Sequence, residues 1–126
     1  MKRIETEYSV RDGGHYTPGI INNGTLYISG QLSHNPETGV KPEGIKAQTS
    51  QALKNLELVL KNAGCKREDV IFCRVYIPDV KYWGELNEVY SEFFGEHKPA
   101  RIVVPANNLY DDCLVEIEAI ARVKED

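Results

Sequence analysis

A helical pattern of apolar residues begins at Ile45 and sets the architecture of the chain. Its apolar positions are mostly three or four residues apart, the spacing that puts them on one face of an α-helix. They are Ile45, Ala52, Leu53, Leu56, Val59, Leu60 and Ala63. Gly64 can end this helix, because glycine accepts the left-handed backbone of a C-terminal cap. A helix of this kind has to pack its apolar face on another layer of structure.

Short strand patterns surround this helix. We predict strands at residues 2–8, 19–21, 25–29, 70–77, 100–104 and 113–121, and a second helix between Asp79 and Gly95. Asn22-Asn23-Gly24 supplies the positive φ angles of a tight hairpin turn. In the fourth strand, alternation places one set of residues on one face of the sheet and the other set on the opposite face. The first set is Ile71, Cys73, Val75 and Ile77, and the second is Phe72, Arg74 and Tyr76.

The predicted order β-β-β-α-β-α-β-β indicates an α+β fold, a mixed six-stranded sheet covered on one face by two helices. With 126 residues, we expect a single domain spanning 1–126. The other face of the sheet would be apolar, and soluble monomers rarely leave such a face in water. We therefore expect a closed homo-oligomer, whose copy number the alternation does not give. The predicted residues of that face are Tyr27, Phe72, Tyr76, Val103, Leu114 and Ile120.

Charge and composition argue against several classes of partner. The formal net charge is −4, and the basic residues form no contiguous stripe, so nucleic acid is not an expected ligand. No stretch approaches the roughly 18 apolar residues of a membrane-spanning helix, and we expect a cytoplasmic protein without a membrane partner. The three cysteines lack C-x-x-C spacing and the three histidines lie far apart. We predict reduced thiols and no metal site.

Arg101 is the residue most indicative of chemistry. It begins an otherwise apolar strand, where a charge has to find a partner. A guanidinium is a planar fork of donors that can hold a substrate carboxylate by two hydrogen bonds. A salt bridge across the sheet to Glu116 or Glu118 is the alternative, and the strand pattern alone leaves both open.

Glu116 and Glu118 share one face of the last strand and have aliphatic neighbours. Loss of water around either carboxyl would raise its pKa, and such a glutamate can exchange protons with a water molecule or a substrate nitrogen. Ordinary cross-strand pairing is the alternative, which we favour for Glu116.

A pocket is indicated near Ser29 and Gly30, because glycine lets a ligand approach the backbone closely. A β-bulge or a strand terminus is the alternative reading of these two residues. Tyr16, in the glycine-rich loop 13–19, either overhangs that pocket or only packs its loop down.

Five segments together resemble the reactive intermediate deaminase (RidA) family, also called the YjgF or endoribonuclease L-PSP family. They are G-H-Y-T-P-G-I at 14–20, L-Y-I-S-G-Q-L at 26–32, N-P-E-T-G at 35–39, P-A-R at 99–101 and E-I-E-A-I-A at 116–121. The resemblance covers nearly the whole chain. It implies a chorismate-mutase-like fold and a homotrimer with an internal β-barrel, with ligand sites between subunits.

The resemblance also implies an activity, the hydrolysis of 2-aminoacrylate-derived and other 2-imino acids to 2-keto acids and ammonia without a cofactor. By position, Arg101 would grip the substrate carboxylate and Glu118 would help to activate water. Tyr16, Ser29, Gly30 and Val103 would line the pocket. There are three departures from the family pattern. Val103 replaces a common cysteine, and this loss is tolerable if that cysteine is not the nucleophile. His15 replaces a proline and the segment 96–99 is short, and both of these changes would reshape the cleft.

Two other functions fit the same residues. A binding module would hold a keto acid or another small carboxylate in the same cleft without turnover. An endoribonuclease, an activity attributed to some relatives, would need a basic groove that this acidic chain lacks, and we rank it last.

Overall fold

The computed structural model of the protein describes residues 1–9 and 13–124. Within them the chain forms six strands and two α-helices in the predicted order. They are β1 (Lys2–Ile4), β2 (Gly19–Asn22), β3 (Thr25–Gln31), α1 (Ile45–Asn62), β4 (Val70–Ile77), α2 (Trp83–Phe94), β5 (Ala100–Pro105) and β6 (Glu116–Arg122). The strand β1 is shorter than predicted because Ser9 folds back on Thr6, its amide donating to the Thr6 carbonyl at 3.1 Å.

The strands form one mixed sheet in the order β1-β2-β3-β6-β4-β5. All neighbours are antiparallel except β4 and β5, which are parallel and are joined through α2. The prediction of a mixed six-stranded sheet with two helices is therefore confirmed. The strands β1 and β5 are the two edges of the sheet, and β6, the last strand in sequence, lies between β3 and β4.

Both helices pack on one face of this sheet, and the core lies between the two layers. The largest fully buried side chains come from both layers, and they include Leu26, Leu53, Leu56, Val75, Leu86 and Ile117. The helix α1 ends as predicted, with Gly64 at φ 75° just beyond it. None of the helices in the described residues is long and apolar enough to cross a membrane.

The hairpin between β2 and β3 turns at Asn23 and Gly24, with φ angles of 52° and 75°. Two successive positive φ angles suit the right-handed twist of the strands that the turn connects. The asparagine and glycine predicted for this turn are therefore in the conformation that their residue types favour.

At the start of β4, the alternation of buried and exposed residues differs from the prediction. Val70 is buried, whereas Ile71, predicted to face the helices, is 49% exposed. The pairing of β4 with β6 shifts register between Val70 and Phe72. A bulge of this kind adds one residue to a strand and reverses the alternation before it. From Cys73 onward the prediction holds, because Cys73, Val75 and Ile77 are all buried.

Two residues predicted for the uncovered face are on the other side. Val103 is in register with the buried Val75 and packs against the core, and Leu114 also packs against the core. On β5 it is Ile102, 48% exposed, that alternates to the uncovered face. That face does carry Tyr27, Phe72 and Ile120, which are aligned across three neighbouring strands.

Candidate functional site

Arg101 lies on β5, at the edge of the sheet, and its half-buried side chain faces the helix α2. Its Nη1 donates a hydrogen bond to Asn87 Oδ1 at 2.9 Å. The guanidinium carbon also lies 4.8 Å from the centre of the Tyr90 ring and 5.4 Å from that of the Trp83 ring. The charge is therefore held by one amide oxygen and two aromatic faces, an arrangement that favours a cation.

The alternative ion pair between Arg101 and Glu116 or Glu118 is wrong. Among the strands of the described residues, only β4 lies beside β5, whereas both glutamates are on β6. Arg101 is in register with Cys73, and Glu118 with Arg74, the next residue of β4. Consecutive residues of a strand point to opposite faces. Within one chain, Arg101 and Glu118 therefore lie on opposite sides of the sheet, and Arg101 forms no ion pair with a described residue.

Glu118 pairs instead with Arg74, its neighbour across the sheet. The Arg74 guanidinium also lies 5.4 Å from the centre of the Phe72 ring. Ordinary cross-strand pairing, which the sequence favoured for Glu116, is thus made by the other glutamate. Glu118, the residue predicted to activate water, is therefore paired with a cation on the uncovered face of the single chain.

Glu116 is opposite Tyr76 and forms no ion pair with the residues that the structure describes. Its carboxylate lies against Gly30, where a Cβ atom would be only 2.4 Å from Glu116 Oε2. Burial, and to a lesser degree the charge of Glu118, raise the pKa of the Glu116 carboxyl above its ordinary value. The shift expected for a desolvated glutamate is therefore present at Glu116, which our sequence reasoning undervalued.

Ser29 and Gly30 form a β-bulge. Ile28 is opposite Ala119 and Gln31 is opposite Ile117, so two residues of β3 face the single residue Glu118. The bulge alternative is therefore correct for these two residues, and the bulge brings Gly30 close to the Glu116 carboxylate of β6. The Ser29 hydroxyl donates to the Thr17 carbonyl at 2.6 Å, and its amide donates to the Pro18 carbonyl at 2.9 Å. Ser29 thus fixes the loop that carries Tyr16.

A cavity of about 700 Å³ opens beside this loop, and Tyr16 and Gly30 both line it. Tyr16 lines the cavity and is 52% exposed, which agrees with the first of the two readings of this residue. Arg101, Val103 and Glu118 lie outside its walls. The predicted site residues therefore form separate groups in one chain. Tyr16, Ser29 and Gly30 are around β3, Glu118 is on the uncovered face, and Arg101 and Val103 are on the edge strand β5.

Sequence reasoning missed the role of α2 beside Arg101. Trp83, Asn87 and Tyr90 are at positions i, i+4 and i+7 of this helix and share the face that meets the guanidinium. In the sequence, these two aromatic residues fit the apolar stripe of a helix between Asp79 and Gly95, which gives them no role beyond packing. The helical spacing of an asparagine with two aromatic residues was the available signal.

A second feature that the sequence did not indicate joins His34, Asp111 and Cys113. His34 Nε2 is 2.8 Å from Asp111 Oδ2, and His34 Nδ1 is 4.0 Å from Cys113 Sγ. The hydrogen bond from His34 is the main reason that the pKa of Asp111 is below its ordinary value. All three cysteines are buried and form no disulfide, which confirms the prediction of free thiols.

The fold and the candidate site together define a class of protein, a small α+β chain with one uncovered sheet face and candidate ligand-binding groups divided between the two faces. A model of the family described as "Endoribonuclease L-PSP" matches residues 7–123. The chain belongs to this family, which is also called the RidA or YjgF family.

Known relatives agree with this assignment. A RutC family protein of Aquifex aeolicus is 42% identical over 123 residues, with 96% of this chain and 98% of the relative covered. The 2-iminobutanoate/2-iminopropanoate deaminase of Escherichia coli is 36% identical, with 95% and 96% covered. A crystal structure of E. coli TdcF with bound serine superposes with a TM-score of 0.92 at 34% identity, with 98% and 100% covered.

Proposed function

We propose that this protein is a 2-imino acid deaminase. It hydrolyses 2-iminobutanoate, 2-iminopropanoate and other reactive 2-imino acids, such as those derived from 2-aminoacrylate, to 2-keto acids and ammonia. The main support for the proposal is the environment of the Arg101 side chain. Its guanidinium is half-buried and forms no ion pair with a described carboxylate, which is the arrangement of a group kept for an anionic ligand.

We further propose that the site is shared between subunits of a homotrimer. Arg101 and Glu118 are on opposite faces of one sheet, so one chain cannot bring both to the same ligand. A second copy, packed against the uncovered face, can supply the missing groups. The exposed apolar residues of that face, Tyr27 and Ile102, support such packing. A trimer closes the arrangement so that each sheet is covered and each cleft is equivalent.

The proposed reaction needs only positioning and proton transfer. Arg101 holds the substrate carboxylate, and Glu118 holds a water molecule near the imine carbon. The water oxygen bonds to that carbon while the π electrons of the C=N bond move to nitrogen. Both protons of the water pass in turn from oxygen to nitrogen, the C–N bond breaks, and a C=O bond forms as ammonia leaves. No electrons are gained or lost, so the proposal includes no cofactor.

The relatives support this choice of substrate class. One of them is named a deaminase of 2-iminobutanoate and 2-iminopropanoate, and another holds serine, a small molecule with a carboxylate beside an amino-bearing carbon. Both ligands share the carboxylate that Arg101 would grip. A cytoplasmic location and independence from nucleic acid remain parts of the proposal.

The test is a measurement of imine hydrolysis. An amino acid oxidase generates 2-iminopropanoate and longer imino acids in situ, and semicarbazide traps what remains. We expect the wild type to lower the trapped semicarbazone and Arg101→Ala to lose this effect. Arg3→Ala, which removes an exposed arginine of β1, is the matched control and should behave as wild type.

The same samples distinguish the binding-module alternative. Binding of 2-oxobutanoate is measured by calorimetry on each variant. If the wild type binds this keto acid through Arg101 but hydrolyses no imino acid, the deaminase proposal is wrong and a binding module replaces it.

A further inference from the structure

The environment of Arg101 divides its donors into two groups. A guanidinium has five N–H groups, and it can hold a carboxylate by either of two pairs of parallel N–H bonds. Asn87 accepts from Nη1, so the edge formed by Nε and Nη2 keeps a complete pair. Among the residues that the structure describes, Asn87 is the hydrogen-bond partner of this guanidinium.

The Tyr90 ring also limits the movement of the Arg101 guanidinium. Its centre lies 4.8 Å from the guanidinium carbon, so the ring forms a floor beneath the cation. Tyr90 is itself fixed, because only 6% of its surface is exposed and its ring packs on Phe94 at 4.8 Å between centres. Asn87 and Tyr90 come from the same helix and therefore keep a constant spacing.

We propose that Asn87 is a positioning residue for Arg101. By holding Nη1 while the guanidinium carbon lies over the Tyr90 ring, it selects the Nε and Nη2 edge as the surface that receives the ligand carboxylate. The inference rests on the proposed function, because it assumes that Arg101 binds a carboxylate.

The physical reason is preorganisation. Arginine is a long side chain with many rotamers, and ordering it at the moment of binding weakens the affinity. A bond formed before the ligand arrives removes part of that cost. Asn87 acts through Arg101 and does not itself touch the ligand in this account, so its loss should weaken ground-state and transition-state binding to the same degree.

The experiment compares Asn87→Ala with Asn87→Asp. Asn87→Ala removes the acceptor and should raise both the Kd for 2-oxobutanoate and the KM for imine hydrolysis on the order of tenfold, with kcat nearly unchanged. Asn87→Asp keeps the acceptor but adds a negative charge at the guanidinium. It should weaken carboxylate binding more than Asn87→Ala does, because the new carboxylate competes for the same cation.

Asn62→Ala is the matched control. Asn62 is an exposed asparagine at the end of α1 that donates to the Leu58 carbonyl at 2.7 Å, far from β5 in the chain. This variant should keep the wild-type Kd and KM. Thermal unfolding of each variant, at fixed protomer concentration, shows whether it is folded.

A folded Asn87→Ala protein with wild-type Kd and KM would overturn the inference and leave the proposed function intact. So would an Asn87→Asp protein that binds 2-oxobutanoate as well as wild type, or a loss confined to kcat. A wild type that neither binds 2-oxobutanoate nor hydrolyses imino acids would overturn both. The wild-type result thus decides the proposed function, and the ratio of variant to wild type decides the role of Asn87.

Discussion

Replacing Gly30 by alanine tests the contact between the β3 bulge and Glu116. Gly30 does not have a positive φ, so its backbone accepts alanine. The new Cβ would lie 2.4 Å from Glu116 Oε2, 3.1 Å from its Cδ and 3.3 Å from its Cγ. The carboxylate oxygen therefore has to retreat by about 1 Å to reach ordinary contact, and the side chain has to turn with it.

The expected cost follows from two opposing effects. Overpacking of this kind costs about 1–3 kcal/mol, and the lower half applies because a glutamate tip can rotate. Alanine also restricts the unfolded chain more than glycine does, which stabilises by about 0.5 kcal/mol. We expect Gly30→Ala to lower the free energy of unfolding by about 1 kcal/mol in the wild-type background. In a Glu116→Ala background it should raise that energy by about 0.5 kcal/mol.

The assay is urea unfolding of the four proteins at one protomer concentration, because an oligomer's stability depends on concentration. The predicted coupling between positions 30 and 116 is about 1.5 kcal/mol. If Gly30→Ala has the same effect in both backgrounds to within about 0.3 kcal/mol, the steric reasoning is refuted.

Three further predictions concern thiols and carboxyls. Cys65, Cys73 and Cys113 are buried, and burial raises the pKa of Cys73 to about 11; iodoacetamide should therefore label none of the three in the native protein and all three in urea, and rapid native labelling would contradict this. Burial alone would raise the pKa of Asp69, but the backbone amide and the cations around it outweigh burial and lower it. The stability that Asp69 contributes is thus present above its unfolded pKa and is lost as pH falls through the folded value. In urea unfolding, Asp69→Asn should therefore destabilise the protein at neutral pH and hardly change its stability at about pH 2. The pKa of Glu116 is raised, so its effect on stability has the opposite pH dependence. The stability that Glu116 contributes is present below its unfolded pKa and is lost as pH rises through the folded value. Glu116→Gln should therefore unfold at a higher urea concentration than wild type at neutral pH and at the same concentration at low pH.

The order of the elements was predictable because periodicity alone separates helices from strands in this chain. The prediction that failed was which residues of an individual strand face the helices. The reversal at Val70 and Ile71 comes from a bulge against β6, and no local pattern within β4 indicates it. Val103 was misplaced because the facing of an edge strand depends on its register with β4, which is a tertiary property.

The site was predictable as a set of residues but not as an arrangement. Arg101 and Glu118 stood out because charges in apolar strands need partners. Their partners depend on strand order, since β6 inserts between β3 and β4 and reaches Arg74 instead of Arg101. Asn87 was not singled out, because a polar residue in an amphipathic helix resembles one that faces solvent.

Mixing two inactive variants shows whether each site is built from two subunits. Arg101→Ala and Glu118→Gln subunits, each with its own affinity tag, are coexpressed, and assemblies that carry both tags are isolated. If each site takes Arg101 from one subunit and Glu118 from the next, every trimer that contains both variants rebuilds about one third of its sites. We expect the mixed assemblies to hydrolyse 2-iminopropanoate at about that fraction of the wild-type rate, although each variant alone is inactive. Doubly tagged assemblies that remain as inactive as the separate variants would contradict a site shared between subunits.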